Sequence, residues 1–221
     1  MHIEPGFITP AKVAIANVGA IGVFAWGCKE QIKEFLGQPW VPLKSLLAAG
    51  FFSLFMQSFH MSVGPSELHF VGAMVMYLTL GFTPTLIGFG LGLLLQGLMF
   101  NPGDLYHLGV NSLSLMLPLI SVHYISGKRY FDQSASERLT WARIVKLDAL
   151  YYTGVTGMVG FWLTISDVAT PFSAWATFAA SYLAVVACEP IFTYLAVKGL
   201  KSIENKRLVT MLTAVRELKI A

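Results

Sequence analysis

Long apolar stretches with few charges are the feature that most constrains how this chain can fold. Hydrophobic residues make up 55% of the 221 positions, charged residues only 12%, and the mean hydropathy is +0.64. A soluble domain usually carries about 25% charged residues, and a helix of about 20 apolar residues crosses a bilayer. We therefore predict an all-α, polytopic helical bundle in the lipid bilayer, and we expect no nucleic-acid partner.

The apolar stretches predict about seven transmembrane helices, with six as the alternative. The predicted spans are 11–28, 43–60, 68–82, 84–100, 106–126, 147–166 and 172–197. The third and fourth spans are short and are separated only by Thr83-Pro84, which is why a count of six stays open.

The two ends of the chain differ from the spans in composition. The first residues include Pro5-Gly6, a turn signal that predicts a segment 1–10 folded back into a transmembrane domain covering 1–199. Leucines spaced among basic residues in 200–221 predict a cytoplasmic amphipathic tail helix on the membrane surface.

The basic residues set the predicted orientation. With seven spans and the N-terminus outside, every one of the 15 Lys and Arg residues except Lys12 lies on or at the edge of the cytoplasmic side. This follows the excess of positive charge in cytoplasmic loops. We therefore expect a multi-pass protein of the plasma or inner membrane, with its C-terminus in the cytoplasm.

The start of the chain has no secretory signal, since no basic segment precedes the first apolar run and no cleavage site follows it. We expect the mature chain to begin at Met1. The two cysteines, Cys28 and Cys188, lie in or beside apolar runs without metal or redox spacing, so they predict packing residues.

Polar side chains in or near the spans are few, and each is a candidate for function because its burial is costly. His60, Glu67 and His69 surround the loop after span two, and Asp104 and His107 lie in the loop after span four. Both loops face outward in the predicted topology, as His2 does. Four of the five histidines are therefore expected at one end of the bundle, whereas His123 is expected near the cytoplasmic end.

His2 occupies a position with special coordination chemistry. The α-amine of Met1, the deprotonated amide nitrogen of His2 and its imidazole Nδ1 can form two fused chelate rings on one metal ion. Three planar nitrogens suit Ni(II), Cu(II) and some Co(II) states, whereas Zn(II) prefers a tetrahedron. His69, expected in the first turn of span three with Ser66 as N-cap, would be the fourth donor. Taken alone, His2 also fits a terminal residue that binds nothing.

Four blocks of the sequence are similar to the CbiM/NikM family, the substrate-binding membrane subunits of energy-coupling-factor transporters for cobalt and nickel. The similarity rests on the start "MHIEPGF", on "GPSELHFVGA" with its His-apolar-apolar-Gly, on "GLLLQGLMFNPGDLYHLGVNSLSLMLP" and on "VVACEPIFTYLAV". The blocks lie at both ends and in the middle, so the resemblance covers essentially the whole chain.

The resemblance implies a metal site and a set of partners. Met1, His2 and His69 would bind Co(II) or Ni(II) as the transported substrate, with no catalytic cofactor, and Asn111 would shape the pocket. Glu189 and Thr193 would be structural or coupling residues. The partners implied are two ATPase subunits, a transmembrane coupling subunit and a small accessory membrane subunit.

This chain departs from the family pattern at several positions. Pro65, Glu67 and Leu68 stand where small residues are usual before the central histidine, and Asp104 to His107 replace a Gly-Leu-Thr-Thr run. His60, Glu67 and His107 are therefore candidates for additional metal ligands or pocket residues.

Two other functions stay open at this point. A solitary metal permease or channel without an ATPase would use the same binding residues. An intramembrane metal-dependent hydrolase is disfavoured because HExxH and GxSxG are absent. The chain also lacks a phosphate-binding loop of the GxxxxGK[ST] type, so it is not expected to hydrolyse ATP itself.

Overall fold

The structure is a computed structural model that describes residues 6–64 and 66–220, so the ligands predicted at Met1 and His2 lie outside the described residues. Over the described residues the chain forms eight α-helices and one two-stranded antiparallel hairpin. The helices are α1 (Pro10–Gly37), α2 (Val41–Ser58), α3 (Ala73–Leu80), α4 (Phe82–Met99), α5 (Leu108–Val122), α6 (Trp141–Thr164), α7 (Phe172–Ser202) and α8 (Arg207–Leu212). The strands are β1 (His60–Val63) and β2 (Ser66–His69).

Four helical segments are long and apolar enough to cross a membrane. They are α1, α4, α7 and the stretch Leu108–Tyr130, in which α5 continues through a π-turn and a 3-10 turn. A mostly helical chain with these segments agrees with the predicted helical membrane bundle.

The predicted span 68–82 is helical only over Ala73–Leu80, before α4 begins at Phe82. Residues up to His69 belong to the hairpin, and the helix that follows has only eight residues. Such a helix is about 12 Å long at ~1.5 Å per residue, well short of the roughly 30 Å of hydrocarbon. Two glycines impose this break, since Gly64 and Gly72 have φ values of 60° and 64°. Glycine adopts this left-handed conformation without the steric cost of a Cβ.

The predicted tail helix over 200–221 is also not a single helix. After the short α8 the chain turns back onto the bundle, where Val215 and Leu218 are buried. The backbone N–H of Ala214 donates to the carbonyl of Thr79 at 2.7 Å. Thr79 lies in the last turn of α3, whose carbonyls have no partner within the helix. The returning tail therefore supplies a donor that α3 needs.

Helices α2 and α4 run side by side in the same direction. A Cβ placed on Gly88 would lie 2.4 Å from the Cβ of Ala48, and one end of the pair is joined by a hydrogen bond of 2.7 Å from Gln96 to Gln57. Pairing of 48 with 88 and of 57 with 96 shows a parallel arrangement. Helices α2 and α4 therefore end at the same side of the bundle. Residues 59–81, which connect the end of α2 to the start of α4, must cross back to the opposite side.

Helices α1 and α5 are also parallel and in close contact. The backbone N–H of Gly109 donates to Asn17 Oδ1 at 2.7 Å, and two residues further along α1, Gly19 faces Leu113. A Cβ on Gly109 would lie 2.4 Å from the Cα of Asn17, which is backbone and has no rotamer to change. Glycine at 109 is thus what allows the first turn of α5 to touch α1.

We expect Gly109→Ala to lower the thermal stability of the purified protein, because the new methyl group forces α1 away from α5. Overpacking of this kind typically costs about 1–3 kcal/mol. Gly157→Ala is the matched control, since a Cβ there meets no heavy atom within 4 Å and alanine favours a helix by roughly 0.5–1 kcal/mol over glycine. Thermal unfolding in detergent compares the two variants, and equal melting temperatures would contradict the close-contact argument.

Candidate metal site

One end of the bundle gathers three of the described histidines. We call it the histidine end, and it consists of residues 6–9, the hairpin 60–69, the connection 100–107 and the loop 165–171. The parallel pairs α2 with α4 and α1 with α5 place the first three segments together. Helix α6 runs opposite to α5, since Trp162 donates to Ser114 at 2.9 Å while Gly154 faces Pro118. The loop after α6 therefore reaches the same end.

His69 is the best-defined side chain of this end. It is the last residue of β2, is 3% exposed, and its Nδ1 lies 3.2 Å from the carbonyl oxygen of Met56. A carbonyl only accepts hydrogen bonds, so the geometry assigns the ring hydrogen to Nδ1. The other nitrogen, Nε2, lies 3.1 Å from Glu67 Oε2. His69 is thus held from both sides.

The expected helical setting of His69 is wrong. Ser66 lies in β2 and does not cap a helix, and the N-cap of α3 is Gly72. The hairpin instead sets His69 directly opposite His60 in the strand register. The two ring centroids are 6.1 Å apart, and His60 is exposed with its Nδ1 3.2 Å from the carbonyl of Gln57. His60, Glu67 and His69 therefore come together on one hairpin.

His107 and Asn111 lie in the first turn of α5, and both are 1% exposed. His107 is the N-cap residue, and its carbonyl accepts from the backbone N–H of Asn111 at 2.9 Å. Asp104, in the 3-10 turn before them, accepts a hydrogen bond from Asn101. These residues share the histidine end with the hairpin, on a different element of the fold.

The described start of the chain is fixed at the same end. The carbonyl of Phe7 accepts hydrogen bonds from the backbone N–H of Asp167 and from the hydroxyl of Ser166, and Ile8 is buried. Lys12 donates to the carbonyl of Ile165 at 2.7 Å and to Asp167 at 3.0 Å. The Lys12 ammonium holds the pKa of Asp167 below its usual range. The chain therefore enters α1 beside the loop 165–171.

Sequence reasoning missed the contact between Lys12 and Asp167, although a signal was present. Lys12 was the single basic residue predicted outside, and Asp167 lies in a loop predicted on the same side. Asn17, which holds the first turn of α5, gave no signal because one asparagine in an apolar helix has many possible partners.

Glu189 and Thr193 lie deeper in the bundle, one turn apart on α7, and both are fully buried. The Oε1 atom of Glu189 accepts from the backbone N–H of Met74 at 3.0 Å, and Oε2 accepts from the Tyr152 hydroxyl. Glu189 thus connects α7 to α3 and to α6. Its link to α3 lies a few residues beyond His69.

His123 lies far from this end, where α5 passes into its π-turn. Its ring stacks on Phe82 with centroids 3.9 Å apart, and its Nδ1 is 3.0 Å from the Tyr77 hydroxyl. His123 therefore has a packing role in contacts with Phe82 and Tyr77, away from the other described histidines.

Among residues 6–64 and 66–220, no three His, Cys, Asp or Glu side chains are grouped so that they could hold a metal ion. Within the same residues, His69 has one ring nitrogen held by the backbone carbonyl of Met56. A metal-binding histidine commonly donates its other N–H to a carbonyl in this way.

The family model for the cobalt uptake substrate-specific transmembrane region, CbiM, matches residues 2–207. The chain belongs to the CbiM family. The resemblance found in the four sequence blocks is thereby confirmed, and the chain is a multi-pass membrane protein of a metal-uptake transport family.

A solved crystal structure of a transition metal transporter shares the fold of this CbiM-family chain. The TM-score is 0.73 over 95% of this chain and 96% of that one, at 21% sequence identity. At this identity the likeness concerns the fold alone. No curated protein matches the sequence significantly.

Proposed function

We propose that this CbiM-family chain captures Co(II) or Ni(II) at the outer face of the membrane for uptake. The donors would be the α-amine of Met1, the amide and imidazole nitrogens of His2, and Nε2 of His69. The metal ion is the transported substrate, so the site must bind it and later release it.

The setting of His69 is the observation that carries this proposal. Its Nδ1 hydrogen is directed at the Met56 carbonyl, so Nε2, which faces Glu67, would be the nitrogen that binds a metal. Burial at 3% removes competing water, and the hairpin fixes the ring against His60 and Glu67. A donor held in advance loses little conformational freedom when the metal arrives.

Glu67 adds a condition to metal binding. Its Oε2 lies 3.1 Å from His69 Nε2, and with the Nδ1 hydrogen already committed, a hydrogen bond there requires one further proton, shared between Nε2 and the Glu67 carboxyl. A metal ion at Nε2 displaces this proton, so capture of the metal releases a proton and depends on pH. Glu67 then either accompanies the metal as a further oxygen donor or moves aside.

The nitrogen donors disfavour Zn(II) but do not choose between nickel and cobalt. A planar set of nitrogens suits Ni(II), Cu(II) and some Co(II) states, whereas Zn(II) favours four donors in a tetrahedron. The buried His107 and Asn111 share the histidine end and would shape the pocket around the ion.

The topology that fits this function has the N-terminus outside and the C-terminus in the cytoplasm, with seven passages. The parallel packing of α2 and α4 supports the return of the chain between them. The third passage would combine extended residues after His69 with the short α3. Residues 73–79 of α3 are all buried, and interrupted backbone is tolerated in a membrane where protein surrounds it.

Release into the cell would depend on partners. The chain has no GxxxxGK[ST] loop for nucleotide phosphates, so we propose two ATPase subunits and a transmembrane coupling subunit as the source of energy. The segment 127–146 and the basic tail are the surfaces proposed to contact them. A metal permease that works alone would differ in needing no ATP.

Metal analysis of the purified protein with its native N-terminus tests the proposed function. We expect one Co(II) or Ni(II) ion per chain, and competition between the two ions then decides the preferred substrate. Zn(II) should compete poorly because of the planar donor set. Preferential binding of Zn(II), or no bound transition metal after loading, would contradict the proposal.

A further inference from the structure

Helices α6 and α7 each bring an acidic side chain into the core of the bundle. Asp148 on α6 and Glu189 on α7 are both fully buried, at 0% exposure, and their carboxyl groups lie within hydrogen-bonding reach of each other. Sequence reasoning did not single out Asp148. Its pairing with Glu189 depends on how the two helices pack.

The two carboxyl groups receive very different numbers of hydrogen bonds. Glu189 accepts from the backbone N–H of Met74 at 3.0 Å and from the Tyr152 hydroxyl. Neither oxygen of Asp148 receives a hydrogen bond from any donor in the described part of the chain. Asp148 thus lies in a buried position where an ionised carboxylate would be almost unsolvated.

Two ionised carboxylates cannot form a hydrogen bond, since each only accepts. Their charges also repel strongly away from water, so one of two buried neighbouring acids keeps a proton. The donors around Glu189 stabilise the charged form of that side chain. The proton therefore belongs on Asp148, whose O–H can then donate to Glu189.

We propose that Asp148 and Glu189 form a proton-binding site in the core of the bundle. Neutral Asp148 donates a hydrogen bond to the Glu189 carboxylate, which ties α6 to α7 and, through Met74, to α3. The proposal does not depend on the metal site at the histidine end.

The surroundings of the pair are aromatic and polar. Tyr151 and Tyr152 on α6 and Tyr182 on α7 are the titratable groups that act on Glu189 along with Asp148. Tyr152 is hydrogen-bonded to Glu189, the Tyr182 hydroxyl lies against the backbone of His69, and the Tyr151 hydroxyl has no partner among the described residues. The Tyr151 hydroxyl is thus an additional buried polar group beside the pair.

Infrared spectroscopy of the purified protein at neutral pH tests this site directly. A protonated carboxylic acid has a C=O stretch above the amide I band, and this band shifts when the O–H is exchanged in D₂O. We expect such a band in the wild-type protein. It should move when aspartate carries a ¹³C-labelled side-chain carboxyl and stay in place when glutamate does. Absence of the band, or a shift with labelled glutamate alone, would overturn the proposal.

Asp148→Asn is a second test of which residue carries the proton, because asparagine has the shape of a neutral aspartic acid. We expect this variant to fold and to lose the band, whereas Asp104→Asn, in the turn before α5, should keep it. Persistence of the full band in Asp148→Asn would overturn the assignment. If Asp148→Asn does not fold, the isotope experiment on the wild-type chain still tests whether an aspartic acid carries the proton.

Discussion

Acetylation of the Met1 α-amine is expected to abolish tight binding of Ni(II) and Co(II). The proposed chelate uses the terminal amine and the next two nitrogens along the chain, the His2 amide and His2 Nδ1, in two fused rings. Acetylation converts the amine into an amide without supplying a new terminal amine, so the chelate loses its first nitrogen. Isothermal titration with each metal measures the loss, which we expect to be complete within the range of the method.

The control for this experiment is amidation of the C-terminal carboxyl, at the other end of the chain. That change leaves the nitrogen donors unchanged, and the amidated protein should bind metal as the native protein does. If the protein acetylated at Met1 bound either ion as tightly as the native one, the terminal-amine mechanism would be wrong, whatever the role of His69.

The second large effect is expected from His69→Ala. The substitution removes the proposed fourth nitrogen, and loss of groups that merely orient a ligand already costs about 10–100-fold in affinity. We therefore expect a loss greater than that for Ni(II) and Co(II). The backbone pairing of His69 with His60 does not require the imidazole, so the hairpin should persist.

His123→Ala is the matched control for His69→Ala. His123 is also a ring packed against neighbours, with Phe82 stacked on it and the Tyr77 hydroxyl beside its Nδ1. Its loss should affect stability more than metal affinity. Equal losses of affinity in the two variants, measured by titration on folded protein, would contradict the placement of the site at the histidine end.

The positions of most helices followed from the sequence because a membrane leaves few alternatives. A backbone in hydrocarbon must satisfy its own hydrogen bonds, so long apolar runs predict helices, and α1, α4 and α7 lie where the runs are. This reasoning failed for residues 60–82. Its strands have four residues each, too short for an alternating pattern to be recognised inside an apolar segment.

The candidate site was predicted in part. The sequence placed His60, His69 and His107 at one end, and the parallel helix pairs of the structure agree with this. The sequence could not predict which groups each imidazole ring contacts. The contact of His69 with Met56 joins the end of a strand to the end of a helix, and its contact with Glu67 depends on both residues lying in β2.

Composition and apolar run length by themselves determined that this chain is a helical membrane protein, because the cost of exposing polar backbone to lipid acts on every residue. The sequence blocks determined the family. Only the tertiary structure decided which polar groups meet: Asn17 with Gly109, Lys12 with Asp167, and Asp148 with Glu189. Such contacts join residues far apart in sequence, and their strength depends on burial and on the donors nearby. The burial of a side chain and the donors around it are defined only once the helices have packed.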